Sequence, residues 1–84
     1  METVMEENIS FFPNPATEVL NINIVDITVN NITILDLSGK VLIIIENTNT
    51  GTKTIDVSAL TSGMYIIRFE TDETIINERF IISK

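Results

Sequence analysis

Cysteine and histidine are both absent from this chain of 84 residues. Without cysteine there is no disulfide framework, no thiolate nucleophile and no thiolate-held metal. Without histidine, the side chain best suited to proton transfer near neutral pH and the commonest transition-metal ligand is missing too. Ser10, Ser38, Ser58 and Ser83 therefore have no imidazole to activate them, and no lysine stands in a motif that would substitute. The expectation is a non-enzyme with no catalytic residues, no metal and no cofactor.

Basic residues are also scarce. Lys40, Lys53, Arg68, Arg79 and Lys84 stand scattered against 12 acidic residues, for a net charge of −7. A phosphate-binding footprint is missing, so nucleic acid is not an expected partner, and the acidity disfavours unaided binding to an anionic membrane. Long apolar runs are lacking as well. The longest, VLIII at 41–45, is far short of the roughly 20 residues of a membrane-spanning helix, so direct membrane insertion is not expected. METVMEEN, at the start, has neither the basic nor the apolar region of a signal peptide, so an export signal would have to lie elsewhere. Residues 1–8 are assigned to a linker or an expression tail and 9–84 to one small domain.

What is present is aliphatic and β-branched. Isoleucine dominates, threonine and valine are common, and no stretch shows sustained helical periodicity with caps. Short strands are expected at 10–12, 19–25, 31–37, 41–47, 52–60, 63–71 and 74–83, separated by turn chemistry. Leu20, Ile22 and Ile24 alternate with Asn21 and Asn23, and the apolar phase then slips to Ile27 and Val29, which predicts a bulge or turn around Val25–Thr28. Ser38-Gly39 predicts a hairpin turn and TNTGT at 48–52 another turn. Ile55 and Val57, then Tyr65, Ile67 and Phe69, then Ile76, Phe80 and Ile82 share inward phases. The expected fold is all-β, an immunoglobulin-like antiparallel sandwich of about seven short strands.

Single residues have plain structural readings. Asp36 precedes the hairpin turn, where its carboxylate can accept turn N–H groups, and Lys40 opens an exposed strand. Tyr65 falls on the inward face and needs a partner for its hydroxyl. Pro13 and Pro15 hold Phe12 and Asn14 out of helical geometry, a rigid corner between the first two strands. Asp72 and Glu73, or Glu6 and Glu7, lack the dense spacing of a calcium loop and read as solvated carboxylates.

Taken in order, these elements form a pattern. Pro13-Asn14-Pro15 is followed by an alternating strand; Asp36, Gly39, Lys40 and Val41 make a D-x-x-G-K-apolar hairpin; Leu60, Gly63 and Tyr65 make L-x-x-G-x-Y; and Phe80, Ile81, Ile82 and Lys84 make an apolar last strand with a basic residue near its end. From about Ile9 to Lys84 the chain resembles the type IX (Por) secretion system C-terminal sorting domain, type A family. Each motif alone is weak; four in this order and spacing are specific.

The resemblance implies a non-catalytic secretion signal carried by a larger N-terminal cargo. The precursor would reach the periplasm by its own signal peptide, and the folded domain would be recognised by the outer-membrane translocon of a Gram-negative bacterium. A sortase-like cysteine peptidase would then remove the domain, upstream of the first strand within Met1–Asn8, leaving the cargo released or joined to anionic lipopolysaccharide at the cell surface. Recognition of a folded domain suits an edge strand open to strand addition. That strand is expected at 74–84, with Arg79 and Lys84 supplying orientation. The competing reading is an immunoglobulin-like adhesion or spacer module of a surface protein, weakened by the scarcity of exposed aromatics for stacking on sugars.

Overall fold

A computed structural model describes residues 2–5 and 8–84, with only the backbone described for Glu2–Met5 and Asn47. The described residues form six strands and no helix: β1 (Glu2–Met5), β2 (Ile9–Asn14), β3 (Val19–Leu35), β4 (Val41–Asp56), β5 (Gly63–Thr71) and β6 (Ile75–Ile82). All strand pairings are antiparallel. They join in the order β1-β2-β3-β5-β6, with β4 also against β3.

The all-β, sandwich-like expectation holds, but its seven short strands become five, because two expected breaks are bends inside long strands, and β1 at Glu2–Met5 is a sixth that was not expected. β3 and β4 run 17 and 16 residues as one hairpin. The early part of β3 pairs with β2 and with 51–56 of β4, and its later part pairs with β5 and with 41–49 of β4. Between them the register slips from Ile24 to Val29. Asp26 (φ 65°), Asn49 (φ 56°) and Gly51 (φ 116°) take the left-handed backbone there. The Val25–Thr28 bulge is therefore as expected, whereas TNTGT is not a chain reversal. Its Asn and Gly supply the positive φ of a bulge, and the strand continues. Thr48 and Thr50 hydroxyls donate to the carbonyls of Val29 and Ile27, satisfying groups in the disturbed stretch of the ladder.

The bend folds the sheet over so that its two halves face each other. Leu20, Ile22 and Ile24 from one half and Ile32, Ile34, Ile67 and Phe69 from the other are buried in a single core. Phe11 of β2 joins the layers, with its ring centroid 6.3 Å from that of Phe69 and 6.3 Å, edge-on, from that of Phe80. Such aromatic pairs add to the area they bury. Every inward phase read from the alternation is met: Ile55, Val57, Tyr65, Ile67, Phe69, Phe80 and Ile82 are buried and Ile76 is half-buried.

Candidate functional site

β6 ends the strand order, bonded to β5 along its length from Gly63↔Ile82 to Glu70↔Ile75. Its other side is only partly open. The Ile81 N–H donates to Asn14 Oδ1 at 3.0 Å. The Ala16 N–H donates to the Ile81 carbonyl (2.8 Å), and the Ser83 N–H donates to the Ala16 carbonyl (2.9 Å). Ala16 and Ile82 thus form one parallel bridge. The corner containing Pro13, Asn14 and Pro15, expected as a rigid corner between the first two strands, is also a clasp on the last strand. Both Phe12-Pro13 and Asn14-Pro15 peptide bonds are cis.

These bonds also set which way the backbone of β6 faces. Ile81 and Ser83 turn their polar groups away from β5, so by the two-residue period Ile75, Asn77 and Arg79 do so too, while the even residues face β5. The outward N–H and C=O groups of Asn77 and Arg79 have no backbone partner among the described residues. A free edge of about two pleats is left between the β5–β6 turn and the clasp.

L-x-x-G-x-Y lies beside the clasp. Gly63 opens β5 opposite Ile82, and Tyr65, opposite Phe80, packs on that ring with centroids 5.8 Å apart. The Tyr65 hydroxyl donates to the Thr61 carbonyl at 2.7 Å, closing the loop that carries half-buried Leu60. Lys84 is tied into the same loop: its N–H donates to Ser62 Oγ at 3.0 Å and its ammonium to the Ser58 carbonyl. Asp56, at the start of this loop, accepts from the Ser58 N–H at 2.9 Å. Hydrogen bonds from Ser58, led by its hydroxyl, hold that carboxyl below its ordinary pKa.

D-x-x-G-K forms the β3–β4 turn. Asp36 Oδ1 accepts from the Ser38 N–H (2.9 Å), the Ser38 hydroxyl (2.6 Å) and the Lys40 N–H (3.0 Å). The Ser38 hydroxyl is the main reason its pKa sits below the usual value, followed by the Lys40 N–H. Gly39, at φ 92°, occupies a backbone conformation that any side chain would strain. Strand register places this turn at the end of the sheet where β5 begins and β6 finishes, since Leu35 pairs with Ile66 and Ile66 with Arg79.

The structure thus brings three of the four motifs into contact around the end of β6 and sets the fourth at the same end of its sheet. Of the expected recognition strand, Phe80 and Ile82 are buried, Ile81 and Ser83 lend their backbones to the clasp, Lys84 is engaged by the loop, and Arg79 is exposed. Ala16, which the motif reading passed over, makes two of the clasp bonds. Its only local signal is its place directly after Pro15. Of the expected linker and cleavage segment Met1–Asn8, Glu2–Met5 is strand β1, paired antiparallel with β2, whereas Met1, Glu6 and Glu7 lie outside the described residues. At the opposite end, a groove of about 470 Å³ is lined by Asn8, Asp26, Thr28, Asp72 and Glu73 among others. Among the described residues no group of three or more carboxylates is placed to hold a metal ion.

A family model described as a secretion system C-terminal sorting domain matches residues 10–83. No curated protein matches the chain.

Proposed function

Because this chain belongs to the type IX secretion system C-terminal sorting domain family, we propose that it is read as a folded domain, through the free edge of β6. Membership makes it a C-terminal secretion signal for type IX export, acting for a cargo on its N-terminal side and leading to the cell surface or the medium. The outer-membrane translocon extends the edge by strand addition, pairing with the outward groups of Ile75, Asn77 and Arg79, and Arg79 orients the incoming strand. The motif residues Pro13, Asn14, Pro15, Asp36, Gly39, Lys40, Leu60, Gly63 and Tyr65 serve this reading by fixing the frame around the edge. A sortase-like cysteine peptidase then cuts within Met1–Asn8, and the cargo is released or joined to anionic lipopolysaccharide.

The observation that carries the reading is the edge position of β6, with the clasp closing only its end. The test is a fusion of signal peptide, fluorescent reporter and residues 1–84 in a bacterium that has the type IX machinery, beside one lacking residues 75–84. Export of the first and periplasmic retention of the second is expected. Retention of both, with the full domain folded, would overturn the sorting role and favour an adhesion or spacer module.

A further inference from the structure

The two outer faces of the folded sheet differ in chemistry. Outside β2 and the adjoining parts of β3 and β4 stand Ser10, Asn21, Asn23, Thr52 and Thr54, with Thr52 and Thr54 hydroxyls donating to the side-chain oxygens of Asn23 and Asn21; Phe12, Val19 and Val25 share the outward phase, set singly among these polar groups. A polar face of this kind is what water requires. The other face, across β4-β3-β5-β6, is apolar. With Tyr65, Ile67 and Phe69 directed inward, Met64, Ile66 and Arg68 face out, and register sets Leu35 beside Ile66 and Arg79, Ile81 beside Met64, and Ile44 beside Thr33 and Arg68. Ile44 is 58% exposed, Val41 47%, Ile81 41% and Met64 39%. Leu35, only 4% exposed, stands outside the core cluster and marks the middle of this second apolar layer.

Charge is sorted in the same way. Lys40, Arg68 and Arg79, three of the five basic residues, border this apolar area in a chain of net charge −7. Arg68 donates to Asn77 Oδ1 at 3.0 Å and stays half-buried along the sheet. The carboxylates of this face, Glu46 and Glu70, sit by register opposite Asn31, toward the bend and away from the cationic end. Asp36, near Lys40, has its Oδ1 occupied by the turn.

We propose that this outer face is a docking platform for a protein surface that carries aliphatic side chains bordered by carboxylates. Adjacent exposed aliphatic residues on one face mark an interaction surface, and a cationic border selects an anionic counterpart. A second copy is excluded by its whole charge: two chains of net charge −7 repel one another across an isologous contact, whereas a single carboxylate-bordered segment meets only the cationic border. An anionic lipid surface does not fit either, since the net charge repels it. The proposal rests on the reading that the domain engages the export machinery, but it places the contact on the face of the sheet instead of its edge. The two surfaces meet at Arg79.

The experiment uses the reporter fusion with paired substitutions. Arg68→Glu with Arg79→Glu, and separately Ile44→Ser with Met64→Ser, are expected to lower export roughly tenfold or more, while Thr52→Glu with Thr54→Glu on the polar face exports like the parent. Circular dichroism of the isolated domains checks folding. A photo-crosslinking residue at position 64 supplies a readout independent of stability. It is expected to trap one protein through an acidic, aliphatic segment, and to lose that product in the Arg-to-Glu pair. Folded face variants exported at parental levels, or a crosslink at position 64 to lipid, to a second copy or to a basic segment, would overturn the proposal. Export of the parent together with all face variants refutes the platform alone, whereas retention of the parent refutes the sorting reading itself.

Discussion

Proline substitution separates the two sides of β6. At Glu78 the backbone faces β5 opposite Ile67, so Glu78→Pro deletes a ladder donor and leaves the carbonyl of a fully buried residue unpaired. The lost bond is worth about 1 kcal/mol and the orphaned acceptor a further 1–3 kcal/mol, roughly 2–4 kcal/mol in all. For a domain of this size each kcal/mol moves Tm by about 4–8 °C, so a fall of roughly 10–30 °C is expected. Such a loss is a large share of the stability of so small a domain. At Asn77 the N–H points away from β5, and proline is tolerated on an edge strand in that orientation. Asn77→Pro also drops the exposed Arg68 hydrogen bond to Asn77 Oδ1, and is expected to cost about 1 kcal/mol in all. Yet it removes one of the few donors a strand-adding partner can use.

Thermal unfolding followed by circular dichroism, with export of the reporter fusion measured alongside, checks both halves of this argument. The expected result is an Asn77→Pro domain that is folded and not exported, and a Glu78→Pro domain that is strongly destabilised. Equal destabilisation by both would refute the assigned facing of β6. A folded Asn77→Pro domain exported like the parent would refute strand addition at this edge while leaving the fold description intact.

Asn14→Ala removes the acceptor for the Ile81 N–H and is expected to cost about 0.5–1.5 kcal/mol, with amide exchange accelerating at Ile81 and Ser83 ahead of the β5 amides. Phe80→Ala empties the position between Phe11 and Tyr65 and is expected to cost about 3–5 kcal/mol by urea unfolding, enough to unfold much of the population at 37 °C. Tyr65→Phe keeps the ring but drops the bond to the Thr61 carbonyl, for an expected loss of about 1 kcal/mol in the same assay. Asp36→Asn tests the turn through pH. The folded carboxyl has a lowered pKa, so its stabilisation is fully present above the ordinary value near about 4 and is lost as pH falls through the folded value; the gap between parent and variant in urea titrations should be widest at neutral pH and close in acid.

Alternation made most of the core legible, because in a half-buried strand the side-chain period alone decides which residues face inward. The Asp36–Lys40 turn was legible for a related reason: all its bonds lie within five residues, and the side-chain types that make them are visible side by side. TNTGT was misread because a bulge and a chain reversal draw on the same residues. Asn49 and Gly51 supply positive φ, and only the pairing of both flanks with the same strand β3 distinguishes continuation from return. The clasp was beyond reach for a different reason. Asn14 and Ile81 are 67 positions apart, and a side-chain amide accepting a backbone N–H leaves no periodic trace. The outer apolar face was half visible, since Met64 and Ile66 fell on the phase opposite Tyr65, but their meeting with Ile44, Leu35 and Ile81 depends on strand order.

The clasp gives Pro13-Asn14-Pro15 and the last strand a common physical purpose. A bare edge strand as apolar as β6 would recruit any other exposed edge, including that of a second copy, and folded proteins limit this hazard by shortening or covering such edges. Here Asn14 and Ala16 occupy the polar groups of Ile81 and Ser83, Lys84 is held by Ser58 and Ser62, and the open stretch shrinks to the region of Ile75–Arg79. Three outward-facing residues are too few to hold a non-specific strand but can align one whose remaining contacts come from elsewhere, such as the neighbouring apolar face. Specificity then resides in the combination of a short edge and an adjoining surface.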